Sequence, residues 1–289
     1  MRNWLEYIPF ILLAKLMRAL PRRTALAFGR RLGTLGRWLQ PGRVKIAREN
    51  LRRALPDMTA TEREATIRQM FTYLGTGFAE MLRLDLVKEA ADIERDFVIE
   101  GEAHLRAALA LGRGCILLTG HVGFWEAGNV IFSKLGYPIG VVAKPMRNPL
   151  TDRYFLRMRE MAGGSIISSR KGARRIIKAL QQNHLVGILM DQHAGRRHGI
   201  QVPFFGRMAW TTPVIAELAM KYRVPVIPAF CWWLPNNRYR VEISPMVLLE
   251  GDPTAEMILA NTALLTGIIE DAVRRDPAQW FWVHRRWRD

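Results

Sequence analysis

Between residues 115 and 230, short apolar runs with strand composition alternate with longer runs of helical period, and that alternation leaves few folds open. Strand-like segments fall at 115–119, 139–143, 165–168, 185–190 and 225–230, and helical ones at 149–161, 172–182 and 212–222. Successive β–α units of this kind build a mostly parallel sheet covered by helices, with functional residues at the carboxyl ends of the strands. Upstream, 97–100 reads as an edge strand and 102–111 as a helix, while Thr59-Ala60-Thr61-Glu62 is a capping box opening a helix to residue 82. Downstream, 239–243 is suited to antiparallel pairing, and a long helix over 254–275 precedes an aromatic, basic tail. The expected fold class is therefore α/β, a mixed sheet flanked by helices, with an N-terminal helical extension.

Within that frame, Cys115-Ile-Leu-Leu-Thr119 is a buried strand, Gly120 breaks it, and a helical run begins near Phe124. His121 thus sits at a strand-to-helix turn. Glu126 follows five positions later, a spacing that on one continuous helix separates the side chains by about 140°. The two meet only if His121 lies in the turn, beside the positive end of the helix dipole. An imidazole held by a carboxylate is an acid–base unit, and it needs no nucleophilic serine or cysteine if the substrate brings its own hydroxyl. The alternative is that His121 caps the helix and Glu126 is a solvated first-turn acid.

The 289 residues carry a formal charge of +17, concentrated at the N-terminus, where residues 1–58 hold thirteen Lys or Arg against three acids. From 61 to 102 the sign reverses, with ten acids against five bases. A basic arm joined to an apolar segment suits anionic lipid better than nucleic acid, and no nucleic-acid partner is expected. Residues 4–20 are largely apolar but interrupted by Glu6, Pro9, Lys15 and Arg18, so they read as an interfacial or shallow anchor rather than a full span. A signal peptide is disfavoured by Arg18, Arg22 and Arg23 standing before the cleavage-like Ala25-Leu26-Ala27. The division expected is an anchor with basic helices over 1–58 and an α/β core over 59–289. Cys115 and Cys231 read as buried thiols, and His193 and His198 lack partners at ligand spacing, so neither metal nor cofactor is expected.

Three further loops should gather at the His121 end of the sheet. The first carries Lys144, Arg147 and Asn148, with Arg159 in the helix beyond; the second carries Arg170 at a helix start; the third carries Asp191 and Gln192 and leads to Phe204 and Phe205. Arginine and lysine there suit phosphate or carboxylate capture. Asp191, at a strand's carboxyl end, is placed to organise an arginine or a substrate hydroxyl, and the two phenylalanines are candidates for core or acyl-pocket wall.

The heptapeptide Gly120-His121-Val122-Gly123-Phe124-Trp125-Glu126 resembles the signature of the bacterial lipid A biosynthesis (late) acyltransferases, a branch of the glycerolipid-type acyltransferases with His-x4-Asp or His-x4-Glu. Asn50-Leu51 with Pro56, Lys144-Pro145, Asn148-Pro149, Arg159, Arg170, Asp191-Gln192, Val202-Pro-Phe-Phe-Gly206 and Trp282 with His284-Arg-Arg-Trp287 follow in the family's order, so the resemblance covers residues 43–288. Lys144 stands where an aromatic or arginine is commoner. The resemblance implies a membrane-bound enzyme of lipopolysaccharide biosynthesis at the cytoplasmic face of a bacterial inner membrane, anchored by its N-terminal segment. It implies transfer of a fatty acyl chain from acyl carrier protein to a hydroxyl of a phosphorylated glycolipid, a lipid A precursor. His121 would be the general base and Glu126 would orient it. Lys144, Arg147, Asn148, Arg159, Arg170, Asp191, Gln192, Phe204 and Phe205 would bind substrate. A phosphatidylinositol mannoside or a lysophospholipid is the alternative acceptor; a non-enzymatic basic membrane-binding protein would account for the charge but not for the His121 motif.

Overall fold

The computed structural model describes residues 2–169 and 172–288. Four helices come first: α1 (Arg2–Ala19), α2 (Arg22–Leu39), α3 (Pro41–Ala54) and α4 (Ala60–Met81). Prolines at 21 and 41 punctuate them, Pro41 at the first position of α3, where its missing N–H costs nothing. The capping box forms at the start of α4: the Glu62 N–H donates to Thr59 Oγ1 at 3.2 Å, and the Thr59 N–H donates to the Glu62 carboxylate at 2.7 Å. Then follow α5 (Ala90–Asp96), β1 (Phe97–Glu100), α6 (Glu102–Leu109), β2 (Cys115–Thr119), α7 (Ala127–Lys134), β3 (Ile139–Ala143), α8 (Pro149–Met161), β4 (Ser165–Ser168), α9 (Ala173–Gln181) and β5 (Leu185–Leu189). The chain continues through β6 (Ile200–Phe204), β7 (Arg207–Thr211), α10 (Val214–Tyr222), β8 (Val226–Leu234), β9 (Arg238–Ile243) and α11 (Ala255–Arg275).

Seven strands form one sheet in the order β1-β9-β8-β2-β5-β3-β4. From β8 to β4 all neighbours are parallel, as β–α units require; β9 runs antiparallel to β8, and β1 closes the edge parallel to β9. Sequence composition ends β8 at residue 230, but pairing of Cys231 with Val241 and Trp233 with Tyr239 carries it to Leu234. The β6–β7 hairpin is not expected from the sequence. Pro203 argues against a strand, and the two-residue turn is Phe205-Gly206, with φ of 53° and 67°, rather than the usual Asn-Gly. The helix expected from Phe124 begins only at Ala127, because the intervening residues are tied to β8 and the tail.

Side-chain alternation along β2 divides the interior. Cys115 and Leu117 face a core shared with α1, α2, α6, α7 and α8, while Ile116 and Leu118 face one shared with α3, α9, α10, α11 and tail residues Trp280, Trp282 and Trp287. Helix α4 contributes to both. The N-terminal helices join the sheet through α4, where Gly29 and Gly33 of α2 oppose Gly75 and Ala79 at backbone contact distance. The opposite charges of the two segments also meet here. Arg18 pairs with Asp85, Arg22 with Glu80 and Asp96, and Arg48 with Glu64. Three of the N-terminal arginines are thus answered within the fold. Among the described residues no helix is long and apolar enough to cross a membrane.

A Cβ on Gly75 would lie 2.6 Å from the Gly33 Cα, whereas one on Gly77 would meet only side-chain carbons, at 3.5 Å and beyond. Both substitutions gain helix propensity of about 1 kcal/mol. Gly77→Ala is therefore expected to leave the urea midpoint equal or higher, and Gly75→Ala to lower it, because overpacking of about 1–3 kcal/mol outweighs the gain in propensity.

Candidate active site

Parallel pairing of β2 with β5 sets Thr119 opposite Leu189. Extending that register by two residues brings His121 opposite Asp191. The His121 ring Nδ1 lies 2.8 Å from Asp191 Oδ1, and the His121 backbone N–H donates to Oδ2, also at 2.8 Å. Trp280 from the tail donates its indole N–H to the same Oδ2 at 2.7 Å. Asp191 is 2% exposed. Burial pulls its pKa upward, but attraction to the His121 ring and the converging donors outweigh that and hold it down at about 2. An ionised Asp191 accepts from Nδ1–H, which fixes the tautomer with its lone pair on Nε2. The Gln192 amide nitrogen stands 3.1 Å from that Nε2, where its N–H is a donor to the lone pair.

Glu126, expected to orient the ring, does something else. Its carboxylate is gripped by Arg159 of α8, with Nε at 3.0 Å and Nη2 at 2.7 and 2.9 Å. The spacing argument allowed Glu126 to reach the ring from the first helical turn. In the folded chain α8 supplies a bidentate cation instead, and the neighbouring strand supplies the carboxylate for His121. Gly123, with φ of 61°, lets the turn pass against β8; a Cβ there would lie 2.9 Å from the Cys231 carbonyl carbon. The Gly123 N–H donates to Gln279 O and that of Phe124 to Cys231 O, each at 2.7 Å, so neither amide is free to meet a developing oxyanion.

Aromatic rings wall the imidazole, Trp125 at 5.1 Å and Phe281 at 5.9 Å between centroids. Both line an open, almost wholly apolar cavity of about 260 Å³, together with Met70, Leu74, Gly77 and Met81 of α4. Trp125 also borders a smaller cavity of about 50 Å³ under the sheet, beside Gly187 and Phe132. The two rings that flank the imidazole thus form part of the wall of a slot suited to hydrocarbon.

The other expected residues are dispersed. Lys144 and Arg147 are exposed in the loop after β3, two strands from β2 and so about 10 Å to one side. Asn148 is buried; its side chain caps α8 by accepting from the Leu150 N–H at 3.0 Å and donates to Asn3 O of α1, so it fastens the two helices rather than facing a substrate. Arg170 lies outside the described residues. Phe204 and Phe205 pack in the core against Trp280, Trp282 and Trp287 and line neither cavity, because the hairpin turns them inward. Trp280 as a donor to Asp191 was not anticipated, and a tryptophan in an aromatic tail carries no local signal for it. Among the described residues no three His, Cys, Asp or Glu side chains gather as a metal site would.

The family model of the bacterial lipid A biosynthesis acyltransferases matches residues 1–289. The lipid A biosynthesis palmitoleoyltransferase of Escherichia coli is 29% identical over 273 residues, 93% of this chain and 86% of that protein. The phosphatidylinositol mannoside acyltransferase of Mycobacterium tuberculosis is 26% identical over 246 residues, 83% of this chain and 76% of that protein. Among solved structures, the 1-acyl-sn-glycerophosphate acyltransferase PlsC of Thermotoga maritima is 14% identical at a TM-score of 0.39, covering 86% of this chain and 97% of its own, a likeness too distant to carry an argument. A motif at a strand-to-helix turn, a polarised imidazole and a family match along the whole chain converge: the chain is an acyltransferase and belongs to the bacterial lipid A biosynthesis acyltransferase family.

Proposed function

We propose that the protein moves a fatty acyl chain from the thioester of acyl carrier protein to a hydroxyl of a lipid A precursor, with His121 as general base and Asp191 as the group that orients it. The observation that carries this reading is the 2.8 Å contact of His121 Nδ1 with a buried carboxylate, which leaves Nε2 as a base beside an apolar slot. The incoming hydroxyl would take the place of the Gln192 amide at Nε2 and give up its proton there. Its oxygen attacks the thioester carbonyl, the C–S bond breaks, and the departing thiolate recovers the proton from the imidazolium. No acyl-enzyme forms, since the acceptor itself is the nucleophile. The acyl chain would occupy the cavity beside Trp125.

Membrane association at the cytoplasmic face of an inner membrane is part of the same proposal. Trp4, Leu5, Ile8, Leu12 and Leu16 form an exposed apolar stripe on α1, whose opposite side packs on α8 through Phe10. A helix lying in the interface presents such a stripe. A phosphatidylinositol mannoside is the alternative acceptor, the one named for the mycobacterial relative.

Thioester cleavage that depends on an added lipid acceptor tests the mechanism. His121→Ala and Asp191→Asn, each shown folded by thermal melting, are expected to lower kcat by about 10²–10⁴; near-normal turnover in a folded His121→Ala protein would remove the proposal. Glu126→Ala is expected to lose activity together with about 3 kcal/mol of stability, because it strands the buried Arg159 guanidinium. Asp191, depressed to about 2, stays ionised through the assay range, so the acid limb of log kcat/KM against pH should have a slope of one proton; a slope of two would mean that a second group must be deprotonated. Gly77→Leu should shorten the preferred chain. At about 0.8 kcal/mol per buried methylene, excluding two lowers the long-to-short ratio of kcat/KM roughly fifteenfold.

A further inference from the structure

A third concavity, of about 590 Å³, lies between the end of α2, the start of α3 and the C-terminal tail. Its walls include Leu39, Gln40, Arg43, His284, Arg285 and Arg288, and among the described residues no carboxylate lines it. Arg285 and Arg288 are exposed, and Arg43 donates to the Val283 carbonyl at 3.1 Å, which ties α3 to the tail and holds its guanidinium at the rim. Three guanidinium groups around one concavity make a strong positive field. Among the N-terminal arginines, Arg18, Arg22 and Arg48 find acids on other elements, and Arg22 has two.

This cavity is joined to the catalytic pair by a short chain of contacts. Gln192 touches His121 Nε2, the next residue, His193, donates its N–H to His284 Nε2 at 3.2 Å, and His284 forms part of the cavity wall. Burial, and behind it Arg288, His121 and Arg286 against the opposing pull of Asp191, hold the His284 imidazole down at about 4. It is therefore neutral and an acceptor at pH 7. On the outer side, Leu35, Trp38 and Leu39 of α2 are half or more exposed, and Leu39 lines the cavity itself. An arginine-rich hollow with an apolar lip fits the phosphorylated head of an amphiphile whose tails lie in a bilayer.

We infer that this hollow binds a phosphate group of the lipid acceptor and so sets which headgroups reach His121, Arg43, Arg285 and Arg288 being the specificity residues. The inference rests on the proposed glycolipid acceptor. It deepens that reading by assigning the phosphate to the α2–α3 corner and the tail rather than to the loops after β3 and β4. Arginine suits the task through bidentate hydrogen bonding to phosphate oxygens.

The test is the double variant Arg285→Gln/Arg288→Gln, with Arg43→Gln as a second variant, each checked by thermal melting. Two readouts are made: kcat/KM on a phosphorylated diglucosamine lipid and on its dephosphorylated counterpart, and flotation with neutral vesicles doped with either lipid. The expected result is that the phosphorylated-to-dephosphorylated ratio of kcat/KM falls at least tenfold, and that the preference for vesicles carrying the phosphorylated lipid disappears. Equal losses on both acceptors would overturn the inference. So would weaker binding to vesicles of any anionic phospholipid with the ratio intact, the behaviour of a general membrane surface, or a rise confined to the KM of the acyl carrier protein, the behaviour of a carrier dock. If the wild-type protein transfers no acyl group, the functional proposal falls, while the flotation readout still decides this site.

Discussion

Parallel pairing of β2 with β5 is the constraint on which the site depends. It fixes, through backbone hydrogen bonds alone, that the residue two beyond Thr119 faces the residue two beyond Leu189. Everything else at the site secures that meeting. The glycine turn at 123 lets the chain pass under β8, and the indole of Trp280 closes the remaining valence of the Asp191 carboxylate. The tail that carries Trp280 is itself held by Asn50, whose amide donates to the carbonyls of Trp282 and His284, each at 2.7 Å. A residue of α3 thus acts on the acid–base pair through two intermediaries, which gives a physical role to an asparagine that the sequence motif alone left unexplained.

Buried charge is handled in two ways. Glu126 and Arg159 form a bidentate pair with side chains 20% and 11% exposed, and it locks the turn before α7 onto α8. Such a pair adds little net stability but is costly to break, so it serves geometry more than energy. Arg286 is different. It is fully buried and, among the described residues, no carboxylate is a hydrogen-bond partner; instead it donates to Trp210 O and the Thr211 hydroxyl and lies over the Phe204 ring at 5.1 Å. Burial drags its pKa down to about 10, with the charge of Asp191 pulling the other way. This arginine fastens the tail to the β6–β7 hairpin, the element the sequence reading missed.

The charge asymmetry of the chain has the same double character. The acidic segment after residue 61 matches the basic one before it, and three arginines of the N-terminal helices are spent on acids of α4, α5 and the turn between them. A running count of charge does not register such pairing, because it joins helices far apart in the sequence. At the α2–α3 corner and the tail, Arg43, Arg285 and Arg288 stand around one hollow.

The sequence by itself determined the α/β class, most strand and helix positions and the turn that carries His121, because these follow from period, glycine and capping signals within a dozen residues. It also supplied Asp191 and Gln192 as strand-end residues and Glu126 as an acid near a helix start. Only the tertiary structure decided which acid faces the imidazole. The spacing of His121 and Glu126 is local and suggested a partnership, whereas the partner of the ring lies 70 positions away and is selected by strand order and register. Likewise Phe204, Phe205 and Asn148 carried residue types that suit a site, and packing assigned them to the core and to a helix joint. Local periodicity fixes which elements form; the pairing of elements remote in the chain fixes which side chains meet, and chemistry depends on the meeting.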